Sequence, residues 1–242
     1  MRLSSVHYFP LAWPFLLALL LIAVFVIAMI ELRILRYAYE RMGINTRYVM
    51  VILLLSLFGS SINIPVAHLP GEEVVTAHVV EVFGMRYVIP EVEETRGTTI
   101  AVNVGGALIP TLLSIYLLIK NALYIRGLIA TAVVTVVVHM LARPVPGLGI
   151  TVPTVVPPLI AAGAALLLSW QHAAPLAYIA GTLGTLLGAD ILNLGKIEGL
   201  HAPVASIGGA GTFDGVFMTG ILAVLLAGIF APREPATAWG RA

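Results

Sequence analysis

From Phe9 to Ile30 the chain carries no charged residue. An apolar run of this length cannot be covered by a water-soluble domain, and it matches the roughly 20 residues needed to cross a bilayer as a helix. It is longer than the core of a secretion signal and no small-residue cleavage pattern follows it, so a retained transmembrane helix is expected here. The rest of the sequence repeats the pattern. Of its 242 residues 60% are hydrophobic and 10% charged, against roughly 25% charged in soluble domains. The fold class expected is an all-α polytopic membrane protein forming a single domain over residues 1–242. Seven apolar segments qualify as spans, at about 11–31, 48–66, 98–119, 126–142, 155–171, 174–194 and 212–231.

Basic residues in the connections supply an orientation. Arg33, Arg36, Arg41 and Arg47 lie between the first two segments, Lys120 and Arg126 flank the third connection, and Arg233 and Arg241 follow the last span. Seven spans put all of them on one side, which the positive-inside rule makes the cytoplasm. The N-terminus is then outside and the C-terminus inside. The opposite side carries residues 67–97, with six of the twelve acidic residues. Their valine-rich runs flank "FGMR", where Gly84 can turn the chain, so a small extracytoplasmic β-hairpin is expected at about 73–93. A proline-rich stretch, 143–158, reads either as an outer loop or as a segment that dips into the membrane. Cysteine is absent, which excludes disulfide and thiol chemistry. A net charge of +1 without basic runs gives no reason to expect nucleic acid.

Only two aspartates occur, Asp190 and Asp214. Ionisable groups within membrane segments are costly and mark function by default. The two lie near the outer ends of the sixth and seventh spans, antiparallel neighbours, so they are expected at similar depth. Two carboxylates at one site share a proton and can activate water while protonating a leaving group. Each also has a plainer reading. Asp214 with Thr212 can cap its helix, and Asp190 can pair with Lys196 or His201. Asn63, Asn103, Asn193, Gly209, Gly211 and Thr212 are candidate binding residues on the same outer side. Gly181, Gly184 and Gly188 form a small-residue stripe for close helix packing. His139, Asp190, Asp214 and His201 match no metal-ligand spacing, so neither metal nor cofactor is expected. The loop "GGAGTFDG" is not a nucleotide fingerprint either: Asp214 occupies the third-glycine position, and no strand or Walker lysine flanks it.

"GSSINIPVA", "GADILNLGKI" and "GGAGTFDGVFMTGILAVLLA" resemble an uncharacterised prokaryotic membrane-protein family, number 1614 among the domains of unknown function. The resemblance covers about residues 48–230. It implies a multi-pass protein of the prokaryotic cell membrane and brings no activity with it. A weaker resemblance is to the GxGD intramembrane aspartyl proteases, which place one aspartate on each of two neighbouring helices, the second after a glycine-rich turn. Here "GAGTFD" has two residues inserted relative to that motif, and no proline-alanine-leucine motif is present. That resemblance implies a carboxylate dyad of Asp190 and Asp214. The expected function is accordingly a protease-like intramembrane aspartyl hydrolase, embedded in the lipid bilayer and acting on a membrane-protein or peptide substrate. An ion- or proton-coupled transporter using the aspartates as a cation site is the alternative, and a structural or assembly factor is the second alternative.

Overall fold

The computed structural model describes residues 13–70, 73–82, 85–94, 97–145, 149–196, 204–209 and 215–232. The chain divides after Tyr37 into two compact units. The first is the body of helix α1 (Trp13–Arg41). Its side chains from Leu16 to Ile30 are exposed, and they are apolar on every face, as expected of a helix surrounded by lipid. The helix runs ten residues past the expected end of the span, because "LRILRYAYER" is made of good helix formers.

The second unit begins at Ala38 and is mostly helical. Its elements are α2 (Thr46–Gly59), β1 (Asn63–Leu69), β2 (Glu73–Val82), β3 (Met85–Glu94), β4 (Thr98–Asn103), α3 (Ile109–Lys120), α4 (Tyr124–Leu141), β5 (Arg143–Val145), β6 (Gly149–Thr151), α5 (Val156–Leu168), α6 (Ala173–Thr185), β7 (Val204–Ile207) and α7 (Gly215–Phe230). A π-helical turn, Val104–Leu108, leads into α3. A second π-turn, Leu186–Asp190, and a 3-10 turn, Ile191–Lys196, continue α6.

Three helical stretches among the described residues are long and apolar enough to cross a membrane: Leu16–Arg41, Tyr124–Leu141 and Ala173–Lys196. Four shorter apolar helices accompany them, Thr46–Gly59, Val104–Lys120, Val156–Leu168 and Gly215–Phe230. This composition is compatible with a membrane protein. Outward-facing side chains agree: Ile125, Leu128, Met140, Leu167 and Ile229 are each more than 70% exposed.

Two expected spans need correction at their ends. Helix α2 stops at Gly59 and the 48–66 segment enters β1 from Asn63; likewise the first residues of the 98–119 segment are β4. Both stretches are rich in β-branched residues, and Pro65 lacks the amide a helix would need. Strand β1 pairs antiparallel with β4, which pairs parallel with β7, so the chain is not purely α-helical. The expected hairpin is present as β2 and β3, paired from Glu73↔Glu94 to Val82↔Met85. Within the proline-rich stretch β5 and β6 form a minimal hairpin, and α5 starts with Pro157 and Pro158 in its first turn, where a missing amide proton costs nothing.

Helix α6 is the core of this unit, with almost every residue from Ala173 to Thr185 buried. Glycines let its neighbours close in. A side chain at Gly184 would meet Val134 at 2.6 Å, and one at Gly188 would meet the Thr135 carbonyl at 2.6 Å, so α4 lies against this face. Gly181 faces Thr219 on α7 and Ala161 on α5, and Gly220 of α7 sits against Tyr178 and Thr182. The expected glycine stripe is therefore shared among three neighbours. At one end of the unit, basic side chains bind backbone oxygens and hydroxyls. Arg41 Nη2 donates to Gly228 O at 2.5 Å and Ala231 O at 2.7 Å, closing the last turn of α7. Lys120 Nζ donates to Gly43 O, and Arg126 Nη1 to Ser169 Oγ at 3.2 Å. The β1-β4-β7 sheet and the end of α6 lie at the opposite end.

Candidate functional site

The second π-turn carries Asp190 at the end of the core helix. Its half-buried carboxylate accepts a hydrogen bond from the Gly208 amide, 2.7 Å from Oδ2. Gly208 and Gly209 follow strand β7 with φ of +82° and +78°, so a strand does precede the glycine loop, contrary to the expectation from sequence; it forms through pairing with the distant β4. That left-handed backbone is open to glycine without steric cost. It turns the Gly208 amide toward Asp190 at the start of the segment that leads to α7. A carboxylate accepting an amide proton is a charge-assisted bond, among the stronger single contacts in a protein.

Asn193, fully buried, holds the break in α6. Its Nδ2 donates to Gly188 O at 2.8 Å and Ala189 O at 2.9 Å. Both carbonyls belong to the π-turn that ends the regular winding of α6. Its Oδ1 accepts from Lys196 Nζ at 2.7 Å. Lys196 thus neighbours Asn193, and its charge sits near the negative end of the helix dipole.

The neighbouring cluster is built on Asn103, which is 0% exposed. Its Oδ1 accepts from Gly106 N at 2.7 Å, capping the first π-turn. Its Nδ2 donates to Ser60 O at 2.8 Å and to Asn63 Oδ1 at 3.1 Å. Ser206 on β7 lies 2.7 Å from both Asn63 Oδ1 and Gly209 O through its hydroxyl. Polar contacts therefore link the end of α2, strand β1, the start of the π-turn and strand β7.

Of the candidate residues, Asn63 and Asn103 come together directly, Asn193 and Asp190 share the broken end of α6, and Gly209 joins the Asn63 group through Ser206. Asp214, Gly211 and Thr212 lie outside the described residues, as does His201. Asp190 and Asn193 both belong to the site, but their bonds run to different segments. His139 Nδ1 and the Thr185 hydroxyl are buried without a hydrogen-bond partner among the described residues. No group of three or more His, Asp or Glu side chains is placed to hold a metal among those residues.

Sequence reading did not single out Ser60 or Ser206; Gly106 was noted beside Asn103 and Gly208 within the glycine-rich loop, without a role for either. The one local signal was the glycine pair after a β-branched run in "VASIGG", a turn signature. The pairing of β7 with β4, which brings Ser206 and Gly208 to the site, has no local signal.

A family model described as a protein of unknown function (DUF1614) matches residues 57–226. No curated protein and no solved structure matches the chain.

Proposed function

The chain belongs to the DUF1614 family, and for this member we propose a membrane-embedded aspartyl hydrolase that cleaves peptide bonds, with Asp190 and Asp214 as its working carboxylates. The observation that carries the reading is the 2.7 Å hydrogen bond from Gly208 N to Asp190 Oδ2. It ties one aspartate to the start of the segment that bears the other. Asp214 lies six positions after Gly208 in the chain, a reach of at most about 20 Å, and directly precedes α7. Helices α6 and α7 are antiparallel and in close contact at Gly181 with Thr219. Their Asp190 and Gly215 ends consequently lie toward the same end of the unit.

In this mechanism one carboxylate accepts a proton from water while its oxygen adds to the peptide carbonyl carbon. The other, protonated, carboxyl donates to the amide nitrogen as the C–N bond breaks. The products are a carboxylic acid and an amine, and one proton is left on the pair for the next turnover. Strand β7 runs directly into Gly208 and is bonded on one side to β4 among the described strands. An extended peptide pairing with its other edge would be led toward Asp190.

The reading places all seven apolar helices in the lipid bilayer. The four shorter helices would complete the spans, and the sheet would lie where protein covers its backbone groups. The end bearing Arg41, Lys120 and Arg126 is cytoplasmic by the positive-inside rule, so the N-terminus and Asp190 are on the outer side and the C-terminus is inside. An ion-coupled carrier is the second reading. It is favoured by one observation, that two helices at the site break into π-turns, at Val104–Leu108 and Leu186–Asp190, as discontinuous helices do in transporters.

The test uses the full chain in lipid vesicles with a pool of synthetic single-span peptides, cleavage being read by mass spectrometry. Hydrolysis is expected from the wild type and is lost in both Asp190→Ala and Asp214→Ala. Cleavage at the wild-type rate by either variant sinks the hydrolase. Proton or sodium flux that requires both aspartates, without cleavage, establishes the carrier instead.

A further inference from the structure

The Gly208 amide that binds Asp190 is itself seated on another element. A Cβ at Gly208 would lie 2.6 Å from both the nitrogen and the Cβ of Ala107, and 2.7 Å from the carbonyl carbon of Gly106. The glycine turn thus rests on the first π-turn without space between them. That π-turn is in turn fixed from the other side. A Cβ at Gly105 would overlap the Ser56 carbonyl oxygen and the Ser60 amide, so the turn is wedged against the end of α2.

Asn103 joins these parts. Both protons of its amide are used, on Ser60 O and Asn63 Oδ1, and its oxygen accepts Gly106 N. These partners fix which way the amide faces. Turned over, its oxygen would meet the Ser60 carbonyl and its NH2 the Gly106 amide. Asn103 is fully buried, with both amide protons and one acceptor site of its oxygen engaged. What it does hold is Gly106, and the backbone of Gly106 is what Gly208 packs on.

We propose that Asn103 is a positioning residue for Asp190: it holds the π-turn on which Gly208 is seated, and through the Gly208 amide it sets the carboxylate. The path is continuous from Ser60 through Asn103, Gly106 and Gly208 to Asp190. π-turns recur at functional sites, and here both reach Gly208, one by packing against it through Gly106 and Ala107 and the other through the Asp190 carboxylate. The consequence matters for function only if Asp190 is the working carboxylate, so this inference rests on the proposed hydrolase. The experiment below does not require activity, and the two fail separately.

Ile207–Gly208 is the only Ile–Gly pair in the sequence, and Met42–Gly43 the only Met–Gly pair. Labelling with carbonyl-13C isoleucine or methionine together with 15N glycine therefore isolates each amide in an NMR spectrum of the full chain in nanodiscs. Gly43, at the basic end, serves as the control. Asp190→Ala is expected to speed hydrogen exchange at Gly208 at least about tenfold. Asn103→Ala should do the same, about tenfold, with Gly43 unchanged. Asn103→Ser keeps a side-chain oxygen for Gly106 and should return the rate to within about threefold of wild type. Asn63→Ala, a change at an exposed residue, removes one partner of Asn103 and should give a smaller acceleration, about threefold.

A Gly208 rate in Asn103→Ala within twofold of wild type overturns the proposal. If that variant does not fold, an unchanged Gly208 rate in Asn63→Ala overturns it. Equal acceleration at Gly208 and Gly43 also overturns it, since that is a general loss of stability rather than positioning. Should Asp190→Ala retain wild-type hydrolysis while Gly208 responds to Asn103 as expected, the hydrolase falls and the structural coupling stands.

Discussion

Replacing Gly208 by alanine strikes the contact on which the site depends, and its cost can be worked out. The backbone there has φ of +82°, which costs a residue with a Cβ about 1–2 kcal/mol. The new methyl would lie 2.6 Å from Ala107 N and Cβ. Two of the nearest three atoms are backbone, so no side-chain rotation relieves the overlap, and such overpacking costs about 1–3 kcal/mol. Relief requires the turn to move away, which stretches the 2.7 Å bond to Asp190. A bond to a charged group contributes about 1.5–3 kcal/mol. The effects are not fully additive, and about 4 kcal/mol is expected in all. Reversible unfolding in mixed detergent micelles, followed by circular dichroism, measures it. Gly163 provides the comparison: it is helical, and a Cβ there meets nothing within 4 Å, so Gly163→Ala should stabilise by up to about 1 kcal/mol. A double-mutant cycle of Gly208→Ala with Asp190→Ala should give a coupling of about 1.5 kcal/mol or more. A loss below about 1 kcal/mol, or a coupling near zero, refutes the reasoning.

Four further outcomes follow from named contacts. Gly105→Ala should cost more than about 3 kcal/mol, because its Cβ would overlap backbone atoms of Ser56 and Ser60; the same unfolding assay checks it. Thr185→Val should be neutral or stabilising by up to about 2 kcal/mol, since it removes a buried hydroxyl without a partner among the described residues; a clear loss of stability would contradict this. Arg41→Ala should destabilise by about 2–3 kcal/mol and speed hydrogen exchange selectively in the last turn of α7, where Arg41 binds two carbonyls. Because the chain has no cysteine, single cysteines at Asn121 and Thr154 can be labelled with a membrane-impermeant maleimide. Asn121 should react only from the cytoplasmic side and Thr154 only from the outside, and labelling of both from one side would refute the proposed topology.

The apolar character of the chain and the approximate place of each helix were legible from residue type alone. A bilayer core imposes a length, and runs such as Phe9–Ile30 meet it without help from any other segment. The β2–β3 hairpin was legible for a similar local reason: only two residues separate its two strands, and pairing needs no distant partner. The ends of the helices were not legible. "INIPVAHL" and "TTIAVN" have the apolarity of a span and the β-branching of a strand, and local preference does not decide between them.

Tertiary structure decided there because a strand requires a partner. β1 and β4 lie on either side of a hairpin, and β7 joins them from about a hundred residues away, so no sequence window contains the pairing. The same holds for the site. Sequence singled out Asp190 and Asn103 because a carboxylate or a carboxamide in an apolar segment must be paired or pay for desolvation. It could not say with what. Only the folded chain sets Gly208 against Asp190 and encloses Asn103 among Ser60, Asn63 and Gly106. Composition determines which residues must find partners, and the partners are chosen by backbone geometry between segments remote in sequence.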